Sequence, residues 1–266
     1  MDLEKKAAEL RGDVLKMIYA AGNGHPGGSL SVMEILIALY YNVLNVDPKN
    51  PQWEDRDRLV LSKGHACPAL YAVLADKGYF PKEDLLTLRK IDSHLQGHPD
   101  MTKTPGVDLN TGSLGQGVAV ATGMALAAKY LKKGYQVYAI VGDGEIQEGL
   151  VWEAAMAAAH YKLDNLTVIL DHNGLQIDGS NDQVMSLGDP VEKYKAFGFE
   201  CFTVNGHDID ALTKVMKTPV HGRPKFICAE TFKGKGVSFM ENDHNWHGKA
   251  PSADELARAL AELEVK

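Results

Sequence analysis

Val137-Tyr-Ala-Ile-Val141-Gly142-Asp143-Gly144-Glu145-Ile146-Gln147-Glu148-Gly149 is an apolar run that stops at two glycines flanking an aspartate. Its first part predicts a strand over 136–141, and the stretch behind it predicts a helix over 150–161. About thirty residues on, the pattern returns: Leu166-Thr-Val-Ile-Leu170 predicts a strand over 166–171 that runs out into Asp171-His172-Asn173-Gly174-Leu175. Further apolar runs predict strands over 58–61, 200–204 and 225–229. Helical spacing predicts helices over 1–21, up to about 41 from a cap at Ser29 or Ser31, up to about 77, and over 114–131, 209–216 and 253–264. Residues 92–113 form a long polar loop. Short strands that are apolar nearly throughout suit a parallel sheet covered on both faces. The expected fold class is α/β, an open, mainly parallel sheet with helices on both faces and right-handed crossovers. One domain over 1–266 is expected, since no repeat or Pro/Ser-rich linker divides the chain.

In open α/β sheets, ligands bind outside the carboxyl ends of the strands. Gly-Asp-Gly by itself carries little, because any strand-to-helix turn favours these residues. Paired with a second strand end that carries Asn173, it gains chemistry. A carboxylate, an amide oxygen and a backbone carbonyl are the hard donors that Mg²⁺ prefers, and Mg²⁺ completes its shell with phosphate oxygens and water. The glycines let a backbone approach an anion, and the following helix adds free N–H groups. Other phosphate motifs are missing: there is no GxxxxGK[ST], and no GxGxxG after a strand.

Composition sets the outer limits. The 266 residues are 45% hydrophobic and 24% charged, with a net charge of -7 and acids and bases interleaved, which excludes a nucleic-acid-binding face. Cys67, Cys201 and Cys228 are scattered and show no CxxC pattern, as expected of reduced core thiols. No signal-like N-terminus and no membrane-length apolar run is present, so no membrane association and a cytoplasmic location are expected. Six of the ten histidines (His94, His160, His172, His207, His221 and His244) are expected to be surface or capping residues. His25, His65, His98 and His247 sit instead in Gly-rich loops, where imidazole can give and take protons near neutral pH.

Those loops complete a pattern. Gly24-His25-Pro26-Gly-Gly, Ser62-Lys-Gly64-His65-Ala, Gly97-His98-Pro99, Thr111-Gly112-Ser113-Leu114-Gly115-Gln-Gly and Trp246-His247-Gly248 occur in that order, with Gly142-Asp143-Gly144 among them. Over essentially its whole length the chain resembles the transketolases. The resemblance implies thiamine diphosphate with Mg²⁺ (Ca²⁺ or Mn²⁺ as substitutes), the metal held by Asp143, Asn173 and the Leu175 carbonyl. It implies cofactor contacts from His65, Gly112, Ser113, Leu114, Gly144, Lys233 and His247, with Lys235 as an alternative to Lys233. Catalytic roles in two-carbon ketol transfer between sugar phosphates fall to His25, His98 and His247. Glu148 and Glu153 match family glutamates at a contact between subunits, although such residues at a helix start also act simply as caps or solvated charges.

The family's pyrimidine-activating glutamate and its pyrimidine pocket lie on a second domain that has no match here. The resemblance therefore implies a partner, a C-terminal transketolase subunit with the pyrimidine-binding domain, in an α2β2 assembly. The start at Met1 and the charged final helix suggest a separate subunit rather than a fragment of a longer enzyme, and a complete set of motif residues argues against a non-catalytic scaffold paralogue.

Overall fold

The computed structural model describes residues 2–264. Five strands among them form one open sheet: β1 (Arg58–Leu61), β2 (Val137–Gly142), β3 (Leu166–His172), β4 (Glu200–Asn205) and β5 (Lys225–Glu230). Their order is β1-β2-β3-β5-β4, and every neighbouring pair is parallel. The α-helices are α1 (Leu3–Ala21), α2 (Pro26–Ser31), α3 (Met33–Ile37), α4 (Cys67–Asp76), α5 (Gln116–Tyr130), α6 (Gly149–His160), α7 (Asn181–Val184), α8 (Pro190–Ala196), α9 (Ile209–Lys217) and α10 (Ala253–Glu264).

Side chains alternate across a strand, and here that alternation makes two cores. Tyr138 and Ile140 of β2 join Leu59, Leu61, Ile169 and Ile227 beneath α1, α3, α4 and α9. Val137, Ala139 and Val141 of the same strand turn the other way, against Val118 and Ala121 of α5, Val151 and Ala155 of α6 and Tyr194 of α8. Helices therefore cover both faces, as expected. A side chain buried like Ile140 contributes roughly 1.5–3 kcal/mol.

The five strands lie within a residue of their expected bounds, and α1 ends where the sequence says it should. Asp2 caps its start by accepting from the Glu4 and Lys5 amides, and Gly22 closes it at φ 64°. The second predicted helix differs. It begins earlier, at Pro26, is interrupted at Val32, and widens into π-type turns over Ala38–Val43. Ser31 caps nothing: its hydroxyl points into the core and donates to Asp171 Oδ2 at 2.6 Å. Helices α7 and α8 have no counterpart among the expected elements, because four and seven residues are too few for a period to show.

The sheet order also places the site. Gly142 stands opposite Asp171 in the β2–β3 register, so the Asp143 and Asn173 loops leave the sheet side by side. Helix α5 packs its first turn on the β1 exit. A Cβ at Gly117 would lie 2.4 Å from Ser62 Oγ and 2.8 Å from Ser62 Cα, whereas one at Gly123 on the same helix would meet no atom within 4 Å. Urea unfolding of Gly117→Ala should show a loss of about 1–3 kcal/mol from overpacking. Gly123→Ala should gain about 0.5–1 kcal/mol from reduced chain freedom, so equal effects at the two positions would contradict this packing.

Candidate functional site

Asp171 ends the apolar part of β3 and has no solvent exposure. Its carboxylate accepts from Lys63 Nζ at 2.5 Å, Ser31 Oγ at 2.6 Å and Thr231 Oγ1 at 2.5 Å. Lys63, itself 2% exposed, also donates to the Gly28 carbonyl at 3.3 Å. One anion thereby joins α2, the β1 exit, β3 and the β5 exit. Glu145 does the same on the other side, accepting from the Ser62 hydroxyl, from Gly115 N at 3.0 Å and from Gly142 N at 3.2 Å. Burial pushes the Glu145 carboxyl up, against these donors. Sequence reasoning gave neither residue a role, although a carboxylate at the end of an apolar buried strand needs a partner and is a signal in itself.

Above these junctions, at the carboxyl ends of β2 and β3, lies a cavity of about 340 Å³. Its lining includes His25, His65, Gly112, Leu114, Asp143, Gly144, Asn173, Leu175, Lys233 and His247, which is every predicted site residue except His98 and Ser113. His98 stands beside it, its ring centroid 6.4 Å from that of His25 and its side chain against Gly112. Ser113 is exposed next to the lining. Gln147, Gln176, Ile177, Asp178 and Val184 also line the cavity and were not foreseen.

Asp143 is 3% exposed; Oδ1 accepts from His172 Nδ1 at 2.6 Å and Oδ2 from the Gly174 amide at 2.7 Å. Gly174 takes φ 77°, and the Leu175 amide donates to Asn173 Oδ1 at 3.2 Å. The Asp143 and Asn173 loops, tied in this way, form one wall of the cavity, and a carboxylate, a side-chain amide and a peptide carbonyl are a donor set that fits Mg²⁺. Among the described residues no three His, Cys, Asp or Glu side chains converge as a metal cage. A cation on this wall would complete its shell with phosphate oxygens and water.

Lys233 is 2% exposed and donates to the Gln176 carbonyl at 3.2 Å and to His247 Nδ1 at 3.0 Å. Burial, then Lys63 nearby, lowers its ammonium to about 8. Neither hydrogen-bond partner is anionic, so the charge is short of a counterion that a diphosphate would supply. Lys235, the alternative, pairs with Glu241 at 3.7 Å and lies over the Phe232 ring, outside the cavity lining.

The four loop histidines form a cluster. His25 lies 5.3 Å from His65 and 5.4 Å from His247, and His65 lies 5.2 Å from His247, between ring centroids. Burial, reinforced by Arg89, lowers His25 to about 4, and burial with Lys233 lowers His247 to about 3. Burial also holds His65 well below the usual range and lowers His98. All four are neutral near pH 7, so each ring carries one N–H donor and one lone pair. Because Lys233 donates to His247 Nδ1, the His247 proton sits on Nε2.

Two of the histidines expected at the surface are placed differently. His172 is half-buried on Asp143, and the His207 side chain is 9% exposed, bonded to Glu34. His160 and His221 are exposed as expected, while His94 bonds Asp84 at 3.1 Å and His244 opens a short 3₁₀ turn. Glu148 and Glu153 have exposed side chains, and Glu148 makes no capping bond although it precedes α6. The three cysteines are free thiols, with Cys67 and Cys228 buried and Cys201 only partly so. Among the described residues no helix is long and apolar enough to cross a membrane.

The family model described as "Transketolase, thiamine diphosphate binding domain" matches residues 4–266. The chain belongs to the transketolase family. It is 44% identical to the 6-deoxy-6-sulfo-D-fructose transketolase subunit of Clostridium sp. (strain MSTE9) over 266 residues, covering 99% of this chain and 97% of that protein. It is 43% identical to an apulose-4-phosphate transketolase subunit from Actinobacillus succinogenes, covering 99% and 96%. Transketolase from Leishmania mexicana superposes with a TM-score of 0.92 at 32% identity, and the match covers 99% of this chain but 41% of that one. Transketolase from Campylobacter jejuni gives 0.91 at 35% identity, covering 99% and 43%. The chain thus spans about two fifths of these solved transketolases and nearly the full length of the two subunits.

In this transketolase domain the lowered histidines have a consequence for stability. The unfolded chain, with histidines near 6.5, binds more protons than the folded one between about pH 4 and 6.5, so stability rises with pH across that window. The Tm of the ligand-free chain should therefore fall as pH drops from 6.5 toward 4. The slope should be shallower in a His25→Gln/His247→Gln variant; an unchanged slope would place its origin elsewhere.

Proposed function

We propose that this chain is the diphosphate-binding subunit of a two-polypeptide transketolase, moving a two-carbon ketol unit from a ketose phosphate to an aldose phosphate. One observation supports the reading: a single cavity is lined by Asp143, Asn173 and Leu175, residues whose side-chain and peptide oxygens suit Mg²⁺, together with the under-compensated Lys233 and three neutral histidines. Two relatives of nearly the same length bear names as transketolase subunits, which favours a separate subunit over a fragment. The intact set of motif residues weighs against a non-catalytic scaffold.

Residues 1–266 would work as one thiamine diphosphate-binding domain. Asp143, Asn173 and the Leu175 carbonyl would hold Mg²⁺, with Ca²⁺ or Mn²⁺ able to stand in, and Lys233 would meet a phosphate oxygen as a point charge. His65, Gly112, Ser113, Leu114, Gly144 and His247 would border the rest of the group. When bound, the cofactor supplies the electron sink for carbon–carbon cleavage. His25, His98 and His247 would orient sugar hydroxyls and carry protons, for which neutral imidazoles with a free lone pair are suited. His247 has its proton placed on Nε2 by Lys233, so it offers a donor at that atom. A partner carrying the pyrimidine-binding domain would close the site, in an α2β2 complex in the cytoplasm.

The isolated chain should bind Mg²⁺ and thiamine diphosphate in calorimetry yet show no ketol transfer, while co-purification with its partner should restore turnover. Full activity from the chain alone would end the split-subunit reading. In the complex, Asp143→Ala should abolish activity through loss of the metal. His98→Ala should cut kcat/KM by roughly 10²–10⁴ while leaving cofactor affinity within about twofold, as removal of an acid–base group does; joint loss of both would reassign His98.

A further inference from the structure

Lys233 follows Phe232 in the loop that leaves β5, and that loop is fixed from an unexpected direction. The Phe232 amide donates to His207 Nε2 at 2.9 Å, and the Phe232 ring stacks on the imidazole with 14° between planes. An N–H donating to Nε2 requires a lone pair there, so the His207 proton sits on Nδ1 and is given to Glu34 Oε2 at 2.9 Å. The same Glu34 oxygen accepts from Arg11 Nη2 at 2.6 Å, and Arg11 is anchored on the Leu30 carbonyl at 3.0 Å. All of Arg11, Glu34 and His207 are buried at the side chain. The backbone beside His207 is equally constrained: the Gly206 amide donates to the Glu230 carbonyl at 2.7 Å, and a Cβ at Gly206 would strike Thr231 Cγ2 at 2.4 Å.

We propose that His207 is a positioning residue for diphosphate binding: Arg11 and Glu34 fix its tautomer, its Nε2 holds the Phe232 amide, and the Lys233 ammonium is thereby held in the cavity. The inference rests on the reading that Lys233 meets the diphosphate. Nothing in His207 touches the cavity, so its effect passes through the loop alone. The contact it supplies is one acceptor at one peptide N–H, and replacements can separate that acceptor from mere bulk. The carbonyl of a glutamine reaches the Nε2 position, whereas an asparagine reaches only the Nδ1 position.

Calorimetric titration of the full chain with thiamine diphosphate in excess Mg²⁺ tests this, alongside the Tm of each ligand-free variant. His207→Asn should weaken affinity about 3- to 10-fold, the worth of one hydrogen bond. His207→Gln should stay within about twofold of the unaltered chain. In the Lys233→Met background, His207→Asn should have little further effect, since residues acting through one another are not additive. Equal losses in the Asn and Gln variants, unaltered affinity in His207→Asn, or additivity with Lys233→Met would each overturn the assignment. If Lys233→Met alone binds as tightly as the unaltered chain, the fault lies in the reading of Lys233 instead.

Discussion

The site depends on a single buried anion. Asp171 is wholly enclosed, and enclosing a carboxylate and an ammonium costs several kcal/mol per ion, so the Lys63 pair alone would not obviously stabilise the fold. What makes the arrangement hold is saturation: Ser31 and Thr231 add hydroxyl donors to Asp171, and Lys63 finds the Gly28 carbonyl as well. Removing either ion would leave the other stranded, at a cost of about 3–5 kcal/mol. The junction therefore acts as a locating pin. Four segments distant in sequence meet there, and each carries a residue that lines the cavity within three positions: Gly28, Lys63, Asn173 and Lys233.

From that pin follows the polarity of the cavity. Two buried lysines reach it, but only Lys63 has its charge answered by a carboxylate in contact. Lys233 is held by a carbonyl and an imidazole, so its positive charge is left in the cavity that Asp143, Asn173 and Leu175 also line. An anion would answer that charge, and a divalent cation would suit the neighbouring oxygen-bearing residues. Burial first, with these two lysines adding to it, lowers His25, His65 and His247, and at His25 Arg89 adds more than either lysine.

How much of this was legible in the sequence depended on the range of the interaction. Strands buried on both faces announce themselves in a few adjacent residues, and Asp143 and Asn173 could be paired because both follow the carboxyl ends of the parallel strands β2 and β3. The interruption at Val32 and the short helices α7 and α8 fall below the length at which a period can be read, although the Ser180–Gln183 capping box and Asp189-Pro190 marked their starts. His207 and His172 read as surface residues because a polar-loop histidine usually lies there. What moves His207 into the core is Glu34, 173 residues away in sequence, and no local pattern encodes such a contact. Asp171 was the recoverable omission, since a lone charge closing an apolar strand signals a buried partner.

The internal bracing also explains why a chain of this kind can leave its chemistry to a partner. Binding energy collected at the non-reacting diphosphate end can be used to place the reacting end, provided the holding surface does not yield. Here three of the predicted contacts on that surface are backed by other groups: His172 and Gly174 on Asp143, Ser31 on Asn173, Gln176 and His247 on Lys233. The complementary half then needs only to dock against the cavity mouth and supply its own groups, rather than to shape the cavity as well. Among the described site residues, Nδ1 of His25 is buried without a hydrogen-bond partner. A bound hydroxyl or a water in the cavity that His25 lines would complete it.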